Sequence, residues 1–264
     1  MHVSDWYHDT VYQAALIAAE RGPPVADNGL INGTMLNPSG VGGAYNKVTL
    51  VKGKKYRLRL INTSVDNHFK VSLDGHNLTV IQADFVPIVP YSTQWLFIGI
   101  GQRYDVIITA NQDVSSYWFR ADVQQACGAN NNNFNIKAIF SYAGAPAGNP
   151  TTTGVPYIQG CTDETQLVPY VKKNVPSADF IRNARDLNVS ISGIGPPGPP
   201  GSAGSNATTN IVTWTIDGTP LDLDWSNPTL QYVEDRNNTF PVDLNLIQLP
   251  KPNTVHSSHS HLNV

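Results

Sequence analysis

Apolar and polar residues alternate with a period of two along the first half of the chain, and this pattern predicts β-strands. In residues 56–60 three apolar side chains alternate with two arginines. The same alternation recurs in residues 69–73 and 104–108. Each strand is therefore expected to bury one face and to leave the other mostly in water.

Eight short strands are predicted in this part of the chain, at a spacing typical of β-sandwiches and barrels. They cover residues 48–51, 56–60, 69–73, 78–81, 94–98, 104–108, 117–121 and 136–142. Glycine and proline residues, among them Pro87 and Pro90, are predicted to form the turns between them. No amphipathic helix of more than about three turns is predicted, and the best helix candidate, residues 12–21, is short and ends at a Gly-Pro-Pro sequence. The predicted fold class is all-β.

The alternation stops after Tyr142, and the glycine- and proline-rich residues that follow are predicted to form a loop. Strand-like runs resume at residues 187–191, 211–216 and 240–249. These runs are too few to close a second sandwich. The expected organisation is therefore a complete domain over residues 1–160, a connecting segment over residues 161–186 and a partial domain over residues 187–264.

The composition and net charge of the chain exclude some classes of binding partner. Charged residues make up 14% of the chain, against roughly 25% in average soluble domains. The net charge of −3 provides no basic stripe for nucleic acid and no polybasic anchor for a membrane surface. No apolar run approaches the ~20 residues of a membrane-spanning helix. We expect a small or neutral partner, with no nucleic acid and no membrane.

Several features favour a secreted, extracellular glycoprotein. The acceptor pattern for N-glycosylation occurs at Asn32, Asn62, Asn77, Asn188, Asn206 and Asn237. The first residues lack the regions of a signal peptide, as expected for a mature or truncated amino terminus. The two cysteines, Cys127 and Cys161, lie in loop-like settings without C-x-x-C spacing. A disulfide is the favoured interpretation, and two unpaired thiols are the alternative.

Two segments carry a resemblance to a known family. Residues 69–120, which include the sequence GQRYDV, resemble the second cupredoxin domain of ascomycete-type fungal laccases, which are multicopper oxidases. Residues 211–249 look like the beginning of the third domain, and SDWYH at residues 4–8 marks the start of the second. The resemblance implies a cupredoxin-like Greek-key sandwich or barrel, followed by an incomplete second cupredoxin-like domain.

The resemblance also implies copper chemistry for the full-length family. Those enzymes oxidise phenols and diphenols and reduce dioxygen to water with four electrons, using a type 1 copper and a trinuclear cluster held by four H-x-H pairs and one thiolate. The motifs H-W-H-G, H-P-x-H-L-H and H-C-H are absent from this sequence. Its one H-x-H, formed by His259 and His261, lies in the tail of residues 255–264 and is either a solvated segment or a weak metal site. We expect no copper bound by this chain, with the missing domains 1 and 3 as its natural packing partners.

One residue matches a functional position of the family. Asp84 corresponds to an acidic residue at the laccase phenol pocket, where a carboxylate can accept the phenolic proton. A turn-capping role is the alternative. Phe85, Trp118 and Phe119 are candidates to line the same pocket, with core packing as the alternative.

The sequence thus predicts a laccase-like multicopper oxidase fragment that is inactive alone and whose family ligands are phenolic small molecules. The alternative is a non-catalytic cupredoxin-like module that binds an aromatic molecule or a partner. His68 and His76 are expected to be structural, hydrogen-bonded imidazoles rather than copper ligands.

Overall fold

Two β-sheets face each other in the part of the chain before residue 174. The computed structural model describes residues 1–21, 23–174, 188–194 and 211–220. The strands of the two sheets are β1 (His2–Trp6), β2 (Asn28–Ile31), β3 (Lys47–Leu50), β4 (Lys55–Asn62), β5 (Phe69–Leu73), β6 (Leu78–Ala83), β7 (Val86–Thr93), β8 (Leu96–Ile98), β9 (Arg103–Thr109), β10 (Ser116–Val123) and β11 (Lys137–Tyr142). The six-stranded sheet has the order β2-β1-β4-β9-β6-β7, and the five-stranded sheet has the order β3-β11-β10-β5-β8. The predicted all-β, cupredoxin-like class is confirmed, and the sheets do not close into a barrel.

The core lies between the two sheets and is built from alternate residues of their strands. In β10, Tyr117, Phe119 and Ala121 belong to the buried cluster, whereas their neighbours Trp118 and Arg120 lie on the outer face of the five-stranded sheet. Burying a large apolar side chain stabilises a fold by about 1.5–3 kcal/mol. The apolar residues of the alternating pattern are therefore those that face the core between the two sheets.

Among the strands of the two facing sheets, the prediction missed three, β1, β2 and β7. Pro87 and Pro90 were predicted to form turns, but both lie within β7. β7 is the last strand of the six-stranded sheet, where a residue without an N–H group is tolerated. Pro90 also lies where the β6–β7 pairing is interrupted, between the pairs Val80–Tyr91 and Gln82–Pro87.

A β-bulge in β6 changes the register of the six-stranded sheet. Val80 pairs with Val106 of β9, but Gln82 pairs with Asp105, so Ile81 is an extra residue on β6. A bulge of this kind bends its strand and redirects the side chains that follow it. The end of β6 and the turn after it are therefore placed one residue further along β9.

Residues 151–170, here called the strap, run along the five-stranded sheet and on to the edge strand β7. The carbonyl of Val155 accepts a hydrogen bond from the Trp95 indole at 2.7 Å. Further along, the N–H of Phe97 donates to the Glu164 carboxylate at 2.9 Å. At β7, the N–H of Val89 donates to the Val168 carbonyl at 2.8 Å. The strap thus belongs to the same compact unit as the two sheets, which consists of Met1–Thr10 and Val25–Lys173.

In its described residues, the second compact unit contains one helix and a three-stranded sheet. Helix α1 (Val11–Arg21) agrees with the best helix candidate of the sequence to within one residue. Strand β13 (Ile211–Ile216) pairs antiparallel with β12 (Val189–Ile194) and with β14 (Thr219–Pro220). The predicted strand at residues 240–249 lies outside the described residues. Within the residues that the structure describes, no helix is long and apolar enough to cross a membrane.

Candidate functional site

Asp84 and Phe85 are the two residues of the tight turn between β6 and β7. The pair Ala83–Val86 closes the turn, and Asp84 and Phe85 have φ values of 44° and 70°. Positive φ at both central residues is the property of a type I′ hairpin turn, which usually contains glycine or asparagine. Aspartate tolerates this conformation, but a bulky phenylalanine at positive φ is an outlier that costs of the order of 1–3 kcal/mol. Such strain clusters at functional sites, so this turn is the leading candidate site of the first unit.

The Asp84 carboxylate is anchored through one of its two oxygens. Oδ1 accepts a hydrogen bond from the backbone N–H of Arg103 at 2.9 Å and lies 3.3 Å from the Arg103 guanidinium. The backbone N–H of Asp84 in turn donates to the Arg103 carbonyl at 2.8 Å. The Asp84 side chain is 49% exposed. Oδ2 accepts no hydrogen bond from the residues that the structure describes, and it remains available to a ligand.

The Phe85 side chain adds an aromatic surface next to this carboxylate. Phe85 is 71% exposed, and the Arg103 guanidinium lies 4.4 Å from the centroid of its ring. A guanidinium over an aromatic face is a favourable cation–π arrangement. Asp84, Phe85 and Arg103 therefore form one cluster, called here the turn cluster, which combines a carboxylate, a ring and a cation.

The other two aromatic candidates do not belong to the turn cluster. Phe119 has no exposed surface and stacks on Phe140 in the core, with ring centroids 5.5 Å apart. Trp118 lies on the outer face of the five-stranded sheet, with its ring 4.9 Å from that of Tyr45. Of the predicted pocket residues, the structure thus brings together Asp84 and Phe85. Phe119 packs in the core and Trp118 faces outward, because adjacent residues of a strand point to opposite faces.

The two histidines singled out in the sequence have different surroundings. Both ring nitrogens of His76 are hydrogen-bonded within the protein, at 2.8 Å to the Asp74 carbonyl and at 2.7 Å to the Tyr142 hydroxyl. Burial lowers the pKa of His76, so the neutral imidazole is favoured. The ring of His68 stacks on Phe97 at 5.9 Å and lines a shallow pocket of about 240 Å³. His76 is thus a structural residue.

The same shallow pocket is lined by the disulfide. Cys127 and Cys161 are bonded to each other, with their Cα atoms 5.8 Å apart. Asp163 and Gln102 complete the polar part of the lining, and the Gln102 side chain donates to Asp163 at 3.2 Å. The expected disulfide is therefore present in the structure, where it ties the strap to the short 3-10 helix Gln125–Cys127 that follows β10.

The described residues do not fit a copper site. Among them, no group of three or more histidine, cysteine, aspartate or glutamate side chains is arranged to hold a metal ion. A type 1 copper requires a thiolate, and the two cysteines of the chain are bonded to each other. His259 and His261 lie outside the described residues.

The predicted glycosylation sites differ in accessibility. Asn62 is 1% exposed, and its side-chain amide donates to the carbonyls of Asn67 and Ile98. The prediction of a glycan at Asn62 is therefore wrong for the folded protein, because a glycan would replace these hydrogen bonds. Asn32, Asn77 and Asn188 are exposed, whereas Asn206 and Asn237 lie outside the described residues.

Arg103 is the functional candidate that the sequence analysis missed. It is the arginine of the GQRYDV sequence, which the analysis used as a family marker and not as part of a site. Its proximity to Asp84 depends on cross-strand register, and residue types alone do not report register.

Comparisons with known proteins agree with this fold and with the earlier resemblance. Residues 1–145 match the family model "Multicopper oxidase". The chain is 54% identical to Laccase-3 of Botryotinia fuckeliana over 94% of its own length and 53% of that protein. It is 38% identical to a laccase of Neurospora crassa, covering 94% of this chain and 38% of that one.

Solved structures include a close structural match. The crystal structure of the laccase from Botrytis aclada superposes with a TM-score of 0.72 at 37% identity, covering 90% of this chain and 42% of that one. The chain thus spans about half or less of the length of these relatives. The resemblance to fungal laccases is confirmed, and the chain belongs to the multicopper oxidase family.

Proposed function

We propose that this chain is part of a laccase-type oxidase that removes electrons from phenols and passes them to dioxygen. Its family membership supports the reaction class. The observation that carries the proposal is the Asp84 carboxylate, which is half exposed, anchored through Oδ1 and available through Oδ2 beside the Phe85 ring. The described residues supply no copper ligands, so the role proposed for them is to bind the phenol and take up its proton.

The chemistry of phenol oxidation explains why a carboxylate suits this position. Loss of one electron makes the phenolic O–H strongly acidic, so a base that accepts its proton lowers the barrier. Asp84 Oδ2 would accept this proton while Oδ1 keeps its hydrogen bond to Arg103. The exposed ring of Phe85 offers a stacking surface for the aromatic part of the substrate.

We further propose that this chain alone does not oxidise phenols and that its parent protein is secreted. The copper-ligand motifs of the family are absent from the sequence, and the described residues form no metal-binding group. The disulfide and the exposed sequons at Asn32 and Asn77 are features of the secretory pathway. A non-catalytic module that binds aromatic molecules is the second candidate, favoured by the same lack of metal ligands.

Replacement of Asp84 tests the proton-acceptor role in the copper-loaded oxidase that contains this sequence. We expect Asp84→Asn to lower kcat/KM for 2,6-dimethoxyphenol by about 100-fold, the lower end of the usual range for general base catalysis. Oxidation of tetramethyl-p-phenylenediamine, which gives up an electron but no proton, should change little. Steady-state kinetics with both donors provide the measurement.

The matched control is Asp113→Asn, which removes an equal charge from a fully exposed carboxylate elsewhere on the domain. This variant should leave oxidation of both donors unchanged. Equal losses for the two donors in Asp84→Asn, or no loss for the phenol, would contradict the proposed role.

The second candidate predicts a different result for the chain by itself. A binding module should take up a phenol in an equilibrium titration without copper, and Phe85→Ala should weaken this binding. Binding of phenol by the chain without any loss in Phe85→Ala would place the ligand away from the turn cluster.

A further inference from the structure

We propose that Arg103 is a positioning residue for Asp84: it holds the carboxylate by Oδ1 and fixes the strained turn so that Oδ2 faces the substrate. This inference rests on the proposed function, because it assigns Arg103 a role through the proton acceptor. Arg103 itself need not contact the phenol. It lies at the first position of β9, opposite the turn.

The bulge at Ile81 is what makes this contact possible. An unbroken ladder continuing from the pair Val80–Val106 would place residue 84 opposite residue 102. With the extra residue, Gln82 pairs with Asp105, and Asp84 meets Arg103. The bulge therefore exchanges an amide side chain for a guanidinium as the neighbour of the carboxylate, and bulges beside functional sites commonly redirect side chains in this way.

Arg103 also connects the strained turn to a second fixed point. Its guanidinium covers the Phe85 ring at 4.4 Å and donates to the Gly101 carbonyl at 2.7 Å. Gly101 lies in the tight turn before β9, at a φ of 75° that favours glycine. The side chain thus contacts both residues of the β6–β7 turn from an anchored position, and it restricts the orientations that Asp84 and Phe85 can adopt.

Because the Arg103–Asp84 ion pair is partly exposed, a loss of positioning can be measured without a large loss of stability. The side chains of Arg103 and Asp84 are 36% and 49% exposed, and ion pairs this exposed contribute little to the free energy of unfolding. The backbone N–H of residue 103 also survives any substitution other than proline. Loss of the guanidinium should therefore leave the fold intact while the carboxylate becomes less restricted.

The kinetic test uses the copper-loaded oxidase that contains this sequence. We expect Arg103→Gln to lower kcat/KM for 2,6-dimethoxyphenol by about tenfold, since misplacing a reacting group by about 1 Å can cost up to 100-fold. Oxidation of tetramethyl-p-phenylenediamine should stay within about twofold, and Arg103→Lys should recover part of the loss. Arg59→Gln is the matched control, because Arg59 pairs with Asp105 on the neighbouring strand and not with Asp84.

A double mutant separates an action through Asp84 from an independent role. In the Asp84→Asn background, Arg103→Gln should cause no further loss with the phenol, because the group that it positions is already gone. An equal loss in both backgrounds would overturn the proposal, as would unchanged phenol kinetics in Arg103→Gln when Asp84→Asn is impaired. If Asp84→Asn itself has no effect, the proton-acceptor role fails instead.

A crystal structure distinguishes a failure of the positioning role of Arg103 from a failure of the proton-acceptor role of Asp84. A crystal structure of the Arg103→Gln variant should show the Asp84 carboxylate rotated or in more than one orientation, with the rest of β6 and β9 unchanged. A carboxylate that superposes on that of the unmodified protein would overturn the positioning role, whatever the kinetics of Asp84→Asn.

Discussion

At the scale of single residues, the outer face of the five-stranded sheet buries a set of charges under the strap. The Arg120 guanidinium forms two hydrogen bonds with the Asp74 carboxylate, at 2.8 and 2.9 Å. The Thr152 hydroxyl of the strap also donates to Asp74, at 2.6 Å. Asp122 is less well satisfied, because its buried Oδ1 has no hydrogen-bond partner among the described residues. Such a group is expected to cost stability when it is ionised.

The pKa of Asp122 decides at which pH this cost appears. Burial raises this pKa, against the opposing effects of the Tyr157 hydroxyl and of the Arg120 and Lys137 charges. The folded state therefore binds the Asp122 proton more tightly than the unfolded state does. The stabilisation by protonated Asp122 is fully present below the pKa that Asp122 has in the unfolded state. It is lost as the pH rises through the pKa that Asp122 has in the folded state.

We expect Asp122→Asn to raise the unfolding temperature at neutral pH, because the amide removes a buried charge at almost constant volume. The advantage over the unmodified protein should shrink as the pH falls toward about 4, near the ordinary pKa of aspartate. Thermal unfolding at a series of pH values provides the measurement.

Ser72→Ala is the control for this experiment, because Ser72 Oγ is also buried without a partner among the described residues but carries no charge. Its effect on the unfolding temperature should be the same at every pH. A pH-independent effect of Asp122→Asn would contradict the titration argument.

At the scale of elements, the strap is attached to the sheets by hydrogen bonds and by one covalent link. The Tyr157 ring contacts the Trp95 ring at 4.3 Å, and the Ile158 carbonyl accepts from Lys70 at 2.8 Å. The disulfide joins two residues that are 34 positions apart. It therefore restricts the unfolded chain as well as the strap.

We expect the double substitution of Cys127→Ser and Cys161→Ser to lower the free energy of unfolding by about 3–4 kcal/mol, from the lost loop-closure constraint. Denaturant unfolding measures this change. Limited proteolysis should also show earlier cleavage within the strap, because its hydrogen bonds alone allow local opening. Unchanged stability together with an unchanged cleavage pattern would show that the strap does not depend on the disulfide.

Sequence patterns predicted every strand of the five-stranded sheet but missed β1, β2 and β7 of the six-stranded sheet. Residues 69–73 were predicted correctly because each inner side chain packs against the opposite sheet. β7 was missed because its prolines resemble turn residues, and they are tolerated there through its edge position. Whether a segment with prolines forms an edge strand depends on the strand that pairs with it. That partner is distant in the sequence, so the local pattern does not reveal it.

In the turn cluster, too, the sequence revealed the residues of the turn itself but not the residue on the neighbouring strand. Asp84 was found through a resemblance, and Phe85 through its position next to Asp84. Arg103 could not be found in this way, because its contact with Asp84 depends on one extra residue in β6. Trp118 and Phe119 were grouped with Asp84 by residue type, although their strand belongs to the other sheet.

At the scale of the whole molecule, the chain contains a two-sheet unit whose described residues form no metal-binding group. Its two cysteines are consumed by the disulfide, and no metal-binding group occurs among the described residues. In the proposed function, this unit presents the turn cluster to the phenol. The electron-transfer part of the proposed reaction would then depend on groups outside the described residues.

We expect this chain, purified alone and treated with Cu²⁺, to show no intense blue absorption, because that band requires a copper–thiolate bond. Visible absorption spectroscopy and metal analysis provide the measurement. Deletion of residues 255–264 serves as the control for weak copper uptake by the tail histidines. A blue band would contradict the absence of a type 1 site in this chain.

The strap has a practical consequence for anyone who shortens this protein. A version that stops at residue 160 would keep every strand of both sheets. It would nevertheless lose the partner of Cys127, the Glu164 carboxylate that holds β8 and the residues that pair with the free edge of β7. Such a protein would expose an odd thiol and an unpaired edge, both of which promote aggregation. A useful minimal version should therefore extend past Tyr170, whose N–H makes the last of these contacts with β7.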